Sequence, residues 1–308
     1  MQLVECVPNF SEGRREVVIA AIRDAAAGTP GVAVLDLHAD AAHNRMVLTF
    51  VGAPAAVVEA AFRCAERARA MIDLREHRGQ HPRIGATDVI PFVPVSDVSM
   101  EACIELAGRL GRRLGEELEI PVYLYAEAAR RPERRWLPEV RRGEYEGLRE
   151  AIRTDPARAP DFGPCQLGPA GATAVGARRY LVAYNVNLAS ADVAVARAIA
   201  RSVRESAGGL PSVQARGMLT SDPNVVQVST NLLDTDITPL HVVFEAIQTL
   251  AHVRGVEVAG SEIVGLVPLS VVTATTAHYV QTGELGSAQI VQSRLLDLML
   301  AGHSGPVE

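Results

Sequence analysis

The same alternation of short apolar runs and longer amphipathic runs occurs twice along the chain, and this repetition constrains the fold more than any other feature. Residues 3–7 read as a short buried strand, ended by Pro8-Asn9. A helix is expected from about Arg14 under a Ser11 cap. Its apolar face is Val18, Ala21, Ile22 and Ala25, and Gly28 and Pro30 stop it. Residues 32–37 and 46–51 read as strands. Pro54 then opens a long helix with Val58, Ala61, Phe62 and Ala65 on one face. A strand over 89–95, a helix over 100–117 and a strand over 122–125 complete the first run. Residues 130–142 are charged and irregular, and a short helix is expected from Tyr145.

Residues 154–176 are rich in Pro, Gly and Ala and read as a linker. The alternation then restarts with a strand over 180–188. Ser190 caps a helix carrying Val195, Ala198, Ile199 and Val203, ended by Gly208-Gly209. Strands follow over 213–219 and 225–232. Thr238-Pro239 starts a helix with Leu240, Val243, Phe244 and Ile247 on one face, and a strand over 256–264 precedes closing helical segments. Each half therefore reads β-α-β-β-α-β. The expected class is α/β, of the α+β sandwich type: two subdomains, 1–176 and 177–308, each a mixed or antiparallel sheet with helices on its outer face. Two sheets facing each other would leave a crevice, a favoured place for a ligand.

Composition narrows the chemistry. All 30 basic residues are Arg, so Schiff-base enzymes, pyridoxal phosphate enzymes and Walker-type phosphate loops, which need a lysine amine, are excluded. The net charge is −6 and no basic stripe runs along the chain, which argues against a nucleic-acid partner. Cys6, Cys64, Cys103 and Cys165 form no C-x-x-C pair, as expected of a cytoplasmic protein. The N-terminus does not read as a signal peptide, and no run of about 18 apolar residues predicts a membrane span.

The densest polar cluster is His77-Arg78-Gly79-Gln80-His81-Pro82-Arg83-Ile84-Gly85. Histidine moves protons near neutral pH, and arginine offers a fixed fork to carboxylates. A solvated surface loop has the same composition, and the residues alone leave the two readings level. His77 and His81 are four apart, the spacing of two metal ligands on one helix face. Gly79 and Pro82 disfavour a helix there, no Glu follows His77, and no metal is expected.

A second cluster, Asp36-Leu37-His38-Ala39-Asp40-Ala41-Ala42-His43-Asn44-Arg45, lies at the turn between two strands. It could orient a proton shuttle or be a polar hairpin turn. A third, around Gly163 to Gly171, is Gly-rich without dinucleotide spacing. Asn185, Asn187, Gln227 and Asn231 place amides on strands that otherwise look buried, where they could bond a ligand or neighbouring backbone.

Several blocks spread in order over the chain resemble the formiminotransferase part of the formimidoyltransferase-cyclodeaminase family. They include Leu3-Val4-Glu5-Cys6-Val7-Pro8-Asn9-Phe10-Ser11-Glu12-Gly13, His81-Pro82-Arg83 with Gly85, and Pro121-Val122-Tyr123-Leu124-Tyr125. Gly143-Glu144-Tyr145-Glu146, Ala159-Pro160-Asp161-Phe162-Gly163-Pro164, Gly171-Ala172-Thr173-Ala174 and Gly176-Ala177-Arg178 follow. Gln227-Val228-Ser229-Thr230-Asn231-Leu232-Leu233-Asp234 and Val264-Gly265-Leu266-Val267-Pro268-Leu269 come late in the chain.

The resemblance implies two α/β subdomains forming a folate tunnel, and a homodimer. It implies His81 as the catalytic proton donor. It implies Gly163, Pro164, Cys165, Gln166, Leu167, Gly168, Pro169, Ala170 and Gly171 as the folate-binding stretch, one residue shorter than in vertebrate members and without their aromatic residue. His38 stands where vertebrate members carry an acid, leaving Asp36 or Asp40 to substitute, whereas Arg45 matches. The implied reaction moves a formimino group from N-formimidoyl-L-glutamate to tetrahydrofolate, the co-substrate, with Arg45 and Arg83 as candidates for the substrate carboxylates. Formyl transfer between 5-formyltetrahydrofolate and glutamate, or a non-catalytic folate-binding module, is the alternative. A cyclodeaminase domain is not expected in a chain of this length.

Overall fold

The computed structural model describes residues 1–79 and 81–302. The chain divides into two compact units, the first from Met1 to Arg179 and the second from Tyr180 onward.

The first unit is built on seven strands: β1 (Leu3–Cys6), β2 (Asn9–Phe10), β3 (Val32–Asp40), β4 (Arg45–Gly52), β5 (Thr87–Ser96), β6 (Val122–Ala126) and β7 (Thr173–Ala177). Strands β1 and β2 occupy one slot between β4 and β5, antiparallel to both. Pro8 lacks an amide proton and interrupts the ladder between them. Its carbonyl still accepts from Leu48 N at 3.0 Å, so the two pieces continue one line. On the far side of β5 the pairing becomes parallel, β5 to β7 and β7 to β6. The helices α1 (Glu16–Ala27), α2 (Pro54–Met71) and α3 (Met100–Glu117) pack together and against the sheet. Their apolar faces, including Ile22, Ala61, Cys64, Leu110 and Leu114, are buried with Phe10, Phe50 and Phe92 of the sheet.

The second unit is a four-stranded antiparallel sheet, in the order β11 (Val258–Val264), β8 (Val182–Leu188), β10 (Val226–Leu232), β9 (Val213–Leu219). Helices α6 (Val193–Val203) and α7 (Leu240–His252) bury Ile199, Val203, Val243 and Ile247 against Val182, Tyr184, Val186 and Val228. The helices α8 (Leu269–Val280) and α9 (Val291–Gly302) follow. A mixed sheet and an antiparallel sheet with packed helices match the expected class.

Three local expectations are corrected. The stretch 154–176 is not a linker: β7 begins inside it, and lies between β5 and β6 in the interior of the first sheet. Its Gly and Pro content masked a five-residue strand whose every residue is buried. Ser11 does not cap α1; its Oγ donates to Gly85 O at 2.7 Å. The buried carboxylate of Glu12 serves the approach to that helix instead, accepting from the amides of Arg14 and Arg15, both at 2.9 Å. The cap of α6 is Asp192, which accepts from Ala194 N, while Ser190 bonds Asp192 N two residues earlier.

Between β6 and β7 the irregular charged stretch contains the short helix α4 (Leu137–Val140), followed by α5 (Glu144–Thr154). These elements bring charged side chains back over the loop that joins α2 to β5.

Candidate active site

The loop from α2 to β5 is stitched at both ends. Leu74 N donates to Pro169 O at 2.8 Å, and Ala86 N donates to Ala170 O at 2.7 Å. Between these stitches His77 is buried. Its Nδ1 accepts from Arg83 Nε at 3.3 Å, and its Nε2 lies 3.0 Å from Asn44 O. Arginine has no acceptor, so the ring is the Nε2–H tautomer. Burial, first of all, lowers its proton affinity. With both nitrogens committed, His77 has no lone pair left for a metal. Among the described residues no group of three or more His, Cys, Asp or Glu is placed to hold one.

His81 lies on the cleft side of the same loop. The cleft is small and is lined by His81, His77 and Arg83 from the loop, Asn9, Phe10 and Ser11 from the chain start, and Asp88 from β5. His43, Asn44 and Arg45 from the β3–β4 hairpin close it. Desolvation, followed by the charges of Arg45 and Arg141, pushes the His81 ring down to about 2, so it is neutral at physiological pH. His43 acts in the same direction, and a hydrogen bond with the Pro82 backbone opposes it.

The β3–β4 hairpin turns at Asn44, whose φ is +48°, a conformation that asparagine tolerates better than most residues. Its side chain accepts from Gly13 N at 3.0 Å and donates to Arg78 O at 3.0 Å, tying three segments of the cleft together. Asp40 accepts from His43 N at 2.9 Å and lies 2.7 Å from His43 Nδ1. Burial would raise the Asp40 carboxyl, but the His43 bonds outweigh it and hold the group below its usual range. Of the acids near His38, it is Asp40 whose partner reaches the cleft, through His43. His38 is exposed on β3.

Arg45 and Arg83 lie in the same cleft but in different states. Arg83 is buried and donates to Glu144 at 2.9 Å and to Glu146 at 2.8 and 2.6 Å, besides His77. Those bonds raise its own proton affinity, and they hold the Glu146 carboxyl down at about 2. Arg45 bonds Asn9 Oδ1 through one terminal nitrogen. Its Nε is buried without a partner among the described residues. Burial and the neighbouring Arg141 lower its pKa to about 10, which still leaves it charged.

The Gly163–Gly171 stretch is a loop held at both ends, with Gly163, Pro164, Cys165, Gln166, Gly168 and Pro169 exposed and Leu167, Ala170 and Gly171 buried. At its start Asp161 accepts from Leu124 N at 2.8 Å and pairs with Arg134 at 2.7 Å. At its end Gly171 has φ +71°, and a Cβ there would run into Ile84 O. Ala172 N donates to that carbonyl at 2.9 Å. The stretch thus ends against the His81 loop, on β-bridge terms between Gly85 and Gly171.

Sequence reasoning missed Asp88, Arg141 and the structural work of Glu12. Asp88 accepts from Ile84 N at 2.8 Å and pairs with Arg141 at 2.5 Å. The one available signal was an acid at the head of an otherwise apolar strand. Arg141 follows α4, in a stretch with no periodicity, and nothing local distinguishes it from the arginines around it. The amides of the second unit form their own network: Asn185 and Gln227 both donate to Glu262 Oε1, at 3.0 and 3.1 Å, and Gln227 to Asn187 at 2.9 Å.

A neutral histidine lies beside arginines in a cleft of the first of two α/β units, an arrangement suited to acid–base chemistry. The family of the chain follows from two matches. Residues 3–178 match the formiminotransferase domain, N-terminal subdomain, and residues 183–298 match the formiminotransferase domain, so the chain belongs to the formiminotransferase family and is a transferase. It is 46% identical to a glutamate formimidoyltransferase of Thermoplasma acidophilum, over 96% of this chain and 98% of that one. Against a glutamate formimidoyltransferase of Streptococcus pyogenes the identity is 41%, over 96% and 99% of the two chains. A formimidoyltransferase-cyclodeaminase of Rattus norvegicus is 48% identical over 90% of this chain, which spans 52% of that longer relative.

Proposed function

We propose that the chain transfers the formimino group of N-formimidoyl-L-glutamate to N5 of tetrahydrofolate, giving L-glutamate and 5-formimidoyltetrahydrofolate. The observation that carries this reading is the neutral His81 ring in a cleft lined by Arg45 and Arg83, on a loop bonded at its far end to the Gly163–Gly171 stretch. In this reading that stretch holds the folate, through its exposed backbone and Gln166. His81 is the catalytic residue, and Arg45 holds a donor carboxylate. The geometry favours Arg45 over Arg83 for that role: Arg83 is already bonded to two glutamates, while Arg45 has a donor unused.

The chemistry balances on one proton. N5 of the folate attacks the amidine carbon, forming the N5–C bond and turning the C=N bond into a single bond. The neutral imidazole takes the proton that N5 loses. In the tetrahedral intermediate the glutamate nitrogen is a poor leaving group until protonated. The imidazolium, made strongly acidic by its surroundings, returns the proton there. The C–N bond to glutamate breaks, and the C=N bond re-forms on the product. Holding both reactants in place removes much of the entropic barrier. His81 is therefore base first and acid second, with no net change in its state.

No helix among the described residues is long and apolar enough to cross a membrane. We read the enzyme as a cytoplasmic homodimer, to be checked by fractionation and light scattering. The deciding experiment mixes the purified chain with N-formimidoyl-L-glutamate and tetrahydrofolate and follows 5-formimidoyltetrahydrofolate. Transfer is expected, with kcat falling about 10²–10⁴-fold in His81→Ala while circular dichroism is unchanged. Turnover only with 5-formyltetrahydrofolate and glutamate would assign the formyl reaction instead. Folate binding with no turnover of either pair would sink the enzymatic reading.

A further inference from the structure

Two buried guanidinium nitrogens near His81 have no hydrogen-bond partner among the described residues: Nε of Arg45 and Nε of Arg141. The two arginines come from different elements, Arg45 from the head of β4 and Arg141 from the end of α4. Each spends one terminal nitrogen, Arg45 on Asn9 and Arg141 on Asp88. The positive charges oppose each other, and both oppose a proton on His81. Asp88 bonds Arg141 alone, its other oxygen accepting from Ile84 N, and it and Asp40 act on Arg45 only through charge, without a bond. Two like charges with unused donors are unfavourable in a protein interior unless an anion joins them. A carboxylate is the matching group, because its two oxygens fit the fork of a guanidinium.

We propose that Arg45 and Arg141 together receive one carboxylate of the amino-acid half of the donor, and that this carboxylate, by neutralising the pair, lets the His81 ring accept its proton. The proposal rests on the donor being a formimidoyl derivative of glutamate. In the structure as it stands every cationic neighbour discourages an imidazolium. Arg45 lies on β4, Arg141 beyond α4, and His43 at the hairpin, while Arg83 shares the loop with the neutral His77. The acids Asp40, Asp88, Glu144 and Glu146 are each already bonded to one of these. A substrate carboxylate is then the uncommitted negative charge. The ring would become a competent base when the donor is bound, which restrains proton exchange in the empty cleft. Arg141 is a binding residue in this scheme, and it also acts on His81 through charge.

The test uses the full chain with the His81 ring followed by NMR, and L-glutamate as the probe. In the wild type, saturating L-glutamate should raise the His81 titration midpoint from about 2 most of the way to its ordinary value of 6.5. Arg141→Gln should lose that rise and bind L-glutamate about 10–100-fold more weakly. In turnover, Arg141→Gln should raise the KM for N-formimidoyl-L-glutamate by a similar factor and leave the KM for tetrahydrofolate unchanged. Arg141→Lys, which keeps the charge but not the fork, should recover part of the loss. If removing Arg141 unfolds the protein by stranding Asp88, the pair D88N/R141Q, which removes both charges, decides the question by the same readouts.

An unchanged affinity for L-glutamate in the folded variant, or equal rises in both KM values, would overturn the receptor. So would a His81 midpoint that L-glutamate does not move in the wild type. The two readings fail separately. Glutamate binding with the His81 response but no formimino transfer removes the reaction and keeps the receptor. Transfer that is indifferent to Arg141 removes the receptor and keeps the reaction.

Discussion

Arg83 donates its Nε proton to His77 Nδ1 across 3.3 Å, and this one bond makes His77 a brace of the loop, apart from His81, the proposed proton carrier. His77 passes the constraint on to Asn44 O at 3.0 Å and so fixes the loop against the β3–β4 hairpin. His77→Ala should leave a buried guanidinium nitrogen and a backbone carbonyl unpaired, at about 1–3 kcal/mol. Denaturant unfolding should show that loss. The pH dependence of kcat in the folded fraction should keep its wild-type form, because the ring does not exchange protons with substrate. A changed pH profile with unchanged stability would reverse the roles of His77 and His81.

The depressed proton affinity of His81 carries a sign for stability. The unfolded ring titrates near its ordinary value of 6.5, and the folded ring near about 2. Above pH 6.5 both states are unprotonated and this group contributes nothing to the pH dependence. Below it the unfolded chain binds more protons, so stability falls as the pH drops, by at most about 1.4 kcal/mol per pH unit from this group. The lowered carboxylates of Asp40 and Glu146 act lower still: their contribution is full above the unfolded carboxylate range and is lost as the pH falls through the folded one. Unfolding free energies measured at pH 7, 6 and 5 should therefore decline in the wild type. His81→Gln should decline less over the same interval, and an equal decline would mean that His81 charges freely in the folded protein.

Most of the secondary structure was legible because its signals are local. The helix expected over 100–117 forms with those bounds, and the structure adds its cap at Ser99. The strand β7 was not legible, since three of its five residues are Ala or Gly, which carry little strand signal. It exists because β5 and β6 lie on either side of it and bury it. The cleft divides in the same way. His77, His81 and Arg83 share a loop and could be grouped by eye, but their division of labour depends on Asn44 and Glu146, 33 and 63 residues away along the chain. Arg141 reaches Asp88 across 53 residues, and only the fold brings that pair together.

Gly171 should be intolerant of any side chain. Its φ of +71° costs an L-residue about 1–2 kcal/mol, and a Cβ would also overlap Ile84 O on the facing strand bridge. Gly171→Ala should therefore lower stability by at least that amount and loosen the join between the glycine-rich stretch and the His81 loop. Differential scanning calorimetry checks the first effect. A fall in tetrahydrofolate affinity, larger than that for L-glutamate, checks the second. Retained stability would mean that the bridge between Gly85 and Gly171 is easily remodelled.

The other end of the glycine-rich stretch depends on a buried ion pair whose two members are not equivalent. The side chains of Arg134 and Asp161 are 5% and 6% exposed and meet at 2.7 Å. Breaking such a pair from one side costs about 3–5 kcal/mol, chiefly through the charge left behind. Without Asp161, Arg134 would still donate to Ala159 O at 2.6 Å and Ala157 O at 3.2 Å and lie over the Tyr123 ring. Without Arg134, Asp161 would keep Leu124 N alone. Asp161→Asn also preserves shape and an acceptor for that amide. Arg134→Met should therefore show the full loss in urea unfolding, and Asp161→Asn a smaller one. The double variant should be less destabilised than the sum of the two, because it strands neither charge. Equal single losses that add would mean that solvent reaches the pair and that the stretch is held by its backbone bonds alone.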